Sequence, residues 1–276
     1  MKRHYLLAGA ALALACLLPG QAPPPTYIPQ TRFARGQNVV PSYEGWIKNS
    51  DGTFTLVFGY MNRNYEEELV IPVGADNKLE PGPADQGQPA YFLPRRQAWA
   101  FRVKVPSDFG NKELVWTLNA YGKPEKAYGS LKSDEEITER IIMTRGNLSP
   151  GLDDPNHPPT LSIAAPGRAT AGQPVALTAN VSDDGLPKPR VPRAAAAADG
   201  KSQTNSASRI RIGLAVRWMQ YRGPAKVAFA EAGPITEGKV LQRAVFPEPG
   251  TYVLRAVATV GALSVSSDVE IVVAKP

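Results

Sequence analysis

One stretch near the end of the chain decides the fold: Pro249-Gly250-Thr251-Tyr252-Val253-Leu254-Arg255-Ala256-Val257-Ala258. A Pro-Gly turn leads into a segment whose side chains alternate between the two faces of a strand. The face that carries large and small apolar residues is formed by Tyr252, Leu254, Ala256 and Ala258. An antiparallel strand with one apolar face packs that face against a second sheet. The stretch therefore predicts a β-sandwich.

The tyrosine in this stretch indicates which kind of sandwich forms. Tyr252 stands two residues before Leu254, and this is the spacing of the tyrosine corner before strand F in immunoglobulin-like domains. In antibody domains a disulfide between strands B and F packs against a tryptophan of strand C. Leu254 takes the position of the second cysteine and Leu177 that of the first, so we expect both to pack on Trp218.

Composition limits both the fold and the chemistry. The 276 residues include 27 prolines and 24 glycines, which favours short strands joined by turns in an all-β protein of two domains. The chain has 2 histidines and 1 cysteine, and His4 and Cys16 both lie in its first segment. If that segment is removed, no disulfide, cysteine nucleophile or Cys/His zinc site can form. We expect no cofactor.

Residues 1–22 have the pattern of a secretory signal peptide: a basic start, an apolar run over 5–18 and small residues at 20–22. The run is shorter than the about 20 residues of a membrane span, so we expect removal and no transmembrane segment in the mature chain. Leu14-Ala15-Cys16 resembles the end of a lipoprotein box, and a lipidated Cys16 is the alternative. Cleavage and lipidation both predict a periplasmic or extracellular protein.

The first domain follows a proline-rich tether over residues 23–38. Residues 39–131 contain six or seven short strand patterns, which predict a generic fibronectin-like or immunoglobulin-like sandwich. Two of these strands carry in-phase core residues, namely Phe54, Leu56, Phe58 and Tyr60 in one and Trp99, Phe101, Val103 and Val105 in the other.

Residues 132–157 predict a short helix and a proline-rich linker between the domains. Ser133-Asp134-Glu135-Glu136 has the spacing of a capping box, and the helix is expected to run on through 137–143. The second sandwich is expected over 158–276. Residues 186–209 interrupt its strand pattern with prolines, an alanine run and a polar tail, which predicts a disordered insertion.

Stretches of the second domain form an ordered set: 181–187 (VSDDGLP), 216–218 (VRW), 223–229 (GPAKVAF), 244–246 (AVF) and 249–254 (PGTYVL). The set resembles the polycystic-kidney-disease (PKD) type of immunoglobulin-like module in bacterial surface and secreted proteins. The resemblance implies a seven-stranded spacer, adhesive or carbohydrate-associated unit. Thr259-Val260-Gly261 stands where such modules often carry an Asp-Gly turn, and the insertion is longer than usual. No ligand or calcium site is therefore carried over.

Three groups of residues are candidates for binding. Tyrosines at strand ends or in loops offer a sugar-stacking platform, with packing in the core or at its rim as the alternative: Tyr60, Tyr65, Tyr91 and Tyr121. A basic loop offers contacts to acidic polysaccharide, with an unstructured solubilising loop as the alternative: Lys188, Arg190, Arg193, Lys201 and Arg209. Asp183 and Asp184 form a weak calcium candidate, which turn chemistry explains more simply.

No catalytic residue is expected. His157 lies beside Asp153 and Asp154 in the linker and lacks the partners of a triad or a histidine-ligated metal. The clusters at 66–68 and 134–136 are adjacent carboxylates, whereas glycosidase pairs face each other across a cleft. The sequence therefore predicts a non-enzymatic structural or interaction module.

The net charge of +6 bears on which class of partner the protein binds. It comes from Lys2, Arg3 and the insertion, so the remaining mature chain is formally neutral. An exported protein without exposed aromatics among its basic residues is not expected to bind nucleic acid. We expect an envelope protein or polysaccharide as the partner. The alternative is a carbohydrate-binding accessory protein that uses the aromatics of the first domain.

Overall fold

The computed structural model describes residues 32–146, 155–164, 166–186 and 213–276. By its contacts the chain divides into Met1–Arg32 and Phe33–Pro276, and only Arg32 of the first unit is described. The predicted signal peptide, Cys16, most of the tether and all five basic residues of the insertion therefore lie outside the described residues. The second unit contains both sandwiches, and the chain is nearly all β, which confirms the predicted fold class.

The first sandwich has eight strands. They are β1 (Val39–Lys48), β2 (Phe54–Asn62), β3 (Leu69–Val70), β4 (Asn77–Glu80), β5 (Tyr91–Phe92), β6 (Arg95–Val105), β7 (Leu114–Ala120) and β8 (Lys123–Gly129). The order β1-β2-β6 forms one sheet and β4-β7-β8 another, while β3 pairs with β5. All of these pairs are antiparallel.

The core of this sandwich is an aromatic cluster between the two larger sheets. Phe58 stacks on Phe101 at 5.3 Å between ring centroids and meets Trp116 edge-on at 6.1 Å. Trp116 is fully buried, and its Nε1 donates to Oδ1 of the equally buried Asn77 at 3.0 Å. Each buried large apolar side chain contributes about 1.5–3 kcal/mol, so these rings are major contributors to stability.

The described part of the second sandwich also contains eight strands. They are β9 (Thr160–Ala164), β10 (Ala169–Thr170), β11 (Pro174–Ser182), β12 (Ala215–Arg222), β13 (Ala228–Phe229), β14 (Lys239–Val245), β15 (Gly250–Val260) and β16 (Leu263–Ala274). The sheets have the orders β13-β14-β11-β9 and β10-β16-β15-β12. Only the β10–β16 pair is parallel among the described strands. A first strand that splits between the two sheets and pairs in parallel with the last is an immunoglobulin-like arrangement.

The stretch at 249–258 lies at the centre of this second sandwich as β15. Tyr252, Leu254, Ala256 and Ala258 are all completely buried. Tyr252 Oη donates to the backbone carbonyl of Glu248 at 3.0 Å, which is the bond across the corner that the sequence predicts. Leu177 and Trp218 belong to the same core cluster and are 1% and 5% exposed. The tyrosine therefore closes the corner while the residues after it fill the core.

The segment between the sandwiches differs from the predicted single helix. It contains a 3-10 turn at Ser133–Glu135 and a five-residue helix, α1 (Glu139–Met143). The chain is extended between them because the amide of Ile137 donates to the carbonyl of Trp46 at 2.8 Å. Thr138 caps α1 by accepting from the amide of Ile141, so Ser133 forms no capping box. Within the described ranges, no helix is long and apolar enough to cross a membrane.

Candidate functional site

A short loop of the first sandwich, residues 85–90, is bound to β12 of the second. Tyr221 Oη donates to the carbonyl of Gly87 at 2.6 Å. The guanidinium of Arg222 donates to both carboxylate oxygens of Asp85, at 2.9 and 2.8 Å, and to the carbonyl of Gln88. Two parallel charge-assisted hydrogen bonds fix the geometry as well as the contact. The two sandwiches are therefore docked through polar contacts with defined directions.

Arg255 makes the second connection between the sandwiches. Its guanidinium lies 4.1 Å from the ring centroid of Tyr221, a cation–π contact, and forms a bidentate pair with Asp268 at 2.7 and 2.8 Å. It also donates to the backbone carbonyl of Ala100 in the first sandwich. Burial raises the pKa of Tyr221 to about 12, so its hydroxyl stays protonated and keeps donating at neutral pH.

A cavity of about 480 Å³ lies beside Arg255 at this junction. Small-molecule sites have volumes of about 300–1,000 Å³, so the cavity is large enough for a ligand. Its walls come from β6, α1, β12, β15 and β16, and therefore from both sandwiches and the segment between them. The sequence did not predict a cavity at this junction, because its wall is assembled from residues that lie far apart in the chain.

The side chain of Trp99 does not lie in the core, where the sequence predicted it. Alternation places it in phase with Phe101 in the core, but β6 carries extra residues opposite Gly59, where the pairing changes from Phe58–Phe101 to Tyr60–Gln97. Such a bulge turns the side chains next to it. Trp99 has a φ of +51°, is only half-buried and lines the junction cavity, so it is not one of the core residues of its strand.

Two of the tyrosine candidates are buried. Tyr60 and Tyr91 are each 4% exposed. The hydroxyl of Tyr60 accepts from the amide of Leu93 at 3.0 Å, and that of Tyr91 donates to Glu68. Burial raises the pKa of both phenols. These rings form part of the cavity wall, and they offer no exposed face to a surface ligand.

The other two tyrosine candidates are exposed, and Tyr121 bonds to Glu67, two residues after Tyr65. Tyr65 is 41% and Tyr121 53% exposed, and Phe33, at 50%, joins them because its carbonyl accepts from the amide of Tyr65 at 3.0 Å. Arg95 lies 4.0 Å above the ring of Tyr65, and Tyr121 Oη donates to Glu67 at 2.5 Å. We call Phe33, Tyr65 and Tyr121 the aromatic surface. Sequence reasoning missed Phe33 because it falls in the predicted tether.

Three of the four carboxylate oxygens of the calcium candidate accept backbone hydrogen bonds. Asp183 Oδ2 accepts from the amide of Gly185 at 3.0 Å, and Asp184 Oδ1 accepts from that of Leu186 at 2.9 Å. Asp184 Oδ2 accepts from the amide of His157 at 2.9 Å and lies 3.1 Å from its Nδ1. The backbone bonds from His157 and Leu186 lower the pKa of Asp184. Among the described residues, no three His, Cys, Asp or Glu side chains are grouped to hold a metal.

The strand order and the tyrosine corner define an immunoglobulin-like β-sandwich protein. No protein-family model and no curated protein matches the chain.

Solved structures with some likeness include the eight N-terminal Ig domains of Down syndrome cell adhesion molecule (8% identity, TM-score 0.26), where the match covers 86% of this chain and 27% of that one. Titin domains Z1Z2 with telethonin match at 9% identity and TM-score 0.26, covering 88% and 100%. The endo-fucoidan hydrolase MfFcnA4 of glycoside hydrolase family 107 matches at 10% identity and TM-score 0.26, covering 89% and 28%. The chain thus spans about a quarter of the length of the first of these. The fold assignment rests on the chain's own strand order.

Proposed function

We propose that this protein is an exported, non-enzymatic interaction module of the bacterial cell envelope. The observation that carries the proposal is the docking of the two sandwiches through Tyr221, Arg222 and Arg255. Docked domains hold their loops and surfaces in a fixed relation, as a module that positions or binds a partner requires. The partner is an envelope protein or polysaccharide.

The side chains that the sequence offers for acid–base chemistry have structural partners. His157 lies against Asp184 with 79% of its side chain exposed. Glu67 accepts from the hydroxyl of Tyr121, and Glu68 pairs with Lys226 at 2.6 Å. These structural contacts support a binding role for the protein.

Sequence patterns supply the rest of the proposal. The signal-like pattern of 1–22 supports export to the periplasm or the cell exterior, with lipidation at Cys16 as the alternative. The motif set at 181–254 supports a PKD-type module as the second sandwich, which would act as a spacer or adhesive unit.

Cell fractionation combined with mass spectrometry of the N-terminus tests this proposal. We expect the full-length chain, expressed in a Gram-negative host, to reach the periplasmic or membrane fraction with its first segment removed. If the signal peptide is cleaved after Ala22, a Cys16→Ala variant should be found in the same fraction as the natural chain. If Cys16 is lipidated instead, this variant should lose its membrane association. An unprocessed chain in the cytoplasm would contradict export.

A second function is favoured by the aromatic surface. Tyr65 is held by Arg95 and Tyr121 by Glu67, so exposed rings are fixed in place near each other. Fixed aromatic faces stack on the apolar face of a sugar ring, as in a carbohydrate-binding accessory protein. Tyr60 and Tyr91 are not part of this surface.

A glycan array separates the two functions. For a carbohydrate-binding protein we expect binding that Tyr65→Ala and Tyr121→Ala abolish. Tyr128→Ala is the matched control, because Tyr128 is 52% exposed on the same β7–β8 hairpin region as Tyr121 and lies outside the aromatic surface. Binding to no glycan, together with cross-linking to a defined envelope protein, would favour the interaction module alone.

A further inference from the structure

We propose that the junction cavity binds an acidic sugar, with its ring on Trp99 and its carboxylate on Arg145. Both residues line the cavity, which is formed by the two sandwiches and α1. This site is separate from the aromatic surface, and it does not depend on where the protein is located.

The backbone at this cavity adopts conformations that are unfavourable for the residues present. Trp99 has a φ of +51° and Arg145 a φ of +54°, although neither is glycine. Left-handed conformations of non-glycine residues carry strain of about 1–3 kcal/mol and cluster at binding and catalytic sites. Two of the five such residues in the described chain thus meet at one cavity.

Gly146 lets the indole of Trp99 approach the backbone beside Arg145. A β-carbon placed on Gly146 would lie 3.5 Å from Trp99 Cη2, so the ring packs against the backbone directly after Arg145. The bulge in β6 is what turns Trp99 toward this point. An aromatic ring and an arginine therefore both line this part of the cavity.

The charges of the cavity favour an anion. Arg102 forms a bidentate pair with Glu139 at 2.5 and 2.8 Å, and Arg255 is paired with Asp268. Arg145 is exposed and has no carboxylate partner among the residues that the structure describes. A guanidinium that no described carboxylate pairs with, at the edge of a cavity, suits a ligand carboxylate, which it can bind through two hydrogen bonds.

The remaining lining distinguishes a sugar from a lipid. Ser264, Ser266 and Gln97 add hydroxyl and amide groups between apolar side chains such as Val257 and Met219. Ser264 Oγ and Gln97 Nε2 already donate to the carbonyls of Met143 and Pro94. An acyl chain offers nothing to the acceptor oxygens of these side chains or to the Ser266 hydroxyl, which costs binding free energy. A saccharide ring presents hydroxyl groups for them and an apolar face for Trp99.

Isothermal titration calorimetry of the mature chain tests the inference with oligomers of galacturonic, glucuronic and N-acetylmuramic acid. We expect at least one acidic oligomer to bind, and its methyl ester to bind at least about tenfold more weakly because the carboxylate charge is lost. Arg145→Gln and Trp99→Gly should each weaken binding of the acidic oligomer by about tenfold or more. Glycine is chosen at residue 99 because it adopts the positive φ of this position without strain.

Two control variants make the result specific. Arg243→Gln removes an exposed arginine on β14, in the other sheet, and should leave the affinity unchanged. Tyr121→Ala removes a ring of the aromatic surface and should also leave it unchanged. The inference is overturned if no acidic oligomer binds, if the ester binds equally well, if Arg145→Gln retains full affinity, or if Tyr121→Ala alone abolishes binding.

Discussion

The hydroxyl of Tyr252 donates to the backbone carbonyl of Glu248 at 3.0 Å, and it thereby joins the start of β15 to the turn before it. The tyrosine is completely buried. Removing the hydroxyl deletes this partly buried hydrogen bond, and a typical intramolecular hydrogen bond contributes about 0.5–1.5 kcal/mol to stability. We expect Tyr252→Phe to lower the free energy of unfolding by about that amount in urea denaturation. Tyr128→Phe, at an exposed ring, is the control; equal stability of both variants would contradict the corner assignment.

Gly223 makes room for the same tyrosine. A β-carbon at Gly223 would lie 2.3 Å from Cδ1 and 2.8 Å from Cε1 of Tyr252. Gly223→Ala therefore forces a buried ring to move, and overpacking of this kind costs about 1–3 kcal/mol. Gly167→Ala serves as the control, because a β-carbon there meets no atom within 4 Å. Thermal denaturation should show a lower melting temperature for Gly223→Ala only. Equal melting temperatures of the two variants would contradict the close packing of Gly223 against Tyr252.

Asn77 connects three parts of the first sandwich. Its side chain donates to the carbonyls of Ile71 and Pro89, at 2.9 and 2.8 Å, and accepts from Nε1 of Trp116. Asn77→Ala leaves three buried groups without partners, so we expect a loss of about 3 kcal/mol or more in the free energy of unfolding. Asn49→Ala, in the β1–β2 turn, should cost less because that side chain is only partly buried. A loss no larger than that of Asn49→Ala would show that Asn77 does not hold the core.

The contact between the sandwiches should weaken in acid. The hydrogen bond from Arg222 lowers the pKa of Asp85 below its ordinary value of 3.8. A carboxylate whose pKa is lower in the folded state stabilises that state above its ordinary pKa, and the contribution disappears as the pH falls through the folded value. Melting temperatures between about pH 7 and about pH 2 should therefore show a smaller acid-induced drop for Asp85→Asn than for the natural chain. The exposed Asp108 provides the control variant, and an unchanged drop in Asp85→Asn would contradict this coupling.

The strands with strong alternation were predictable from the sequence. In β2 and β15 the large apolar residues recur with period two, and each strand has a distinct turn before it. The tyrosine corner was predictable because its geometry depends on residues close together in the chain. Strand β4 was missed, because Asn77-Lys78-Leu79-Glu80 is short and polar and its burial depends on the strand it pairs with.

The candidate site was much less predictable. Arg255 lies between Leu254 and Ala256 and therefore points away from the core of its own sandwich, which indicates a solvated side chain. Only 17% of that side chain is exposed, because the first sandwich covers this face. Tyr60, near the end of β2, is likewise buried, and its contacts are with Phe92 and Leu93, which come later in the chain. Contacts between distant segments leave no periodic signal, so the cavity became visible only in three dimensions.

Differential scanning calorimetry of the mature chain tests the central claim that the two sandwiches form one docked unit. We predict a single cooperative transition in which the calorimetric and van't Hoff enthalpies agree. Arg255→Gln should separate this transition into two or lower its temperature, because it removes the contact to Ala100 and the bidentate pair with Asp268. Two independent transitions in the natural chain, unchanged by Arg255→Gln, would contradict the claim.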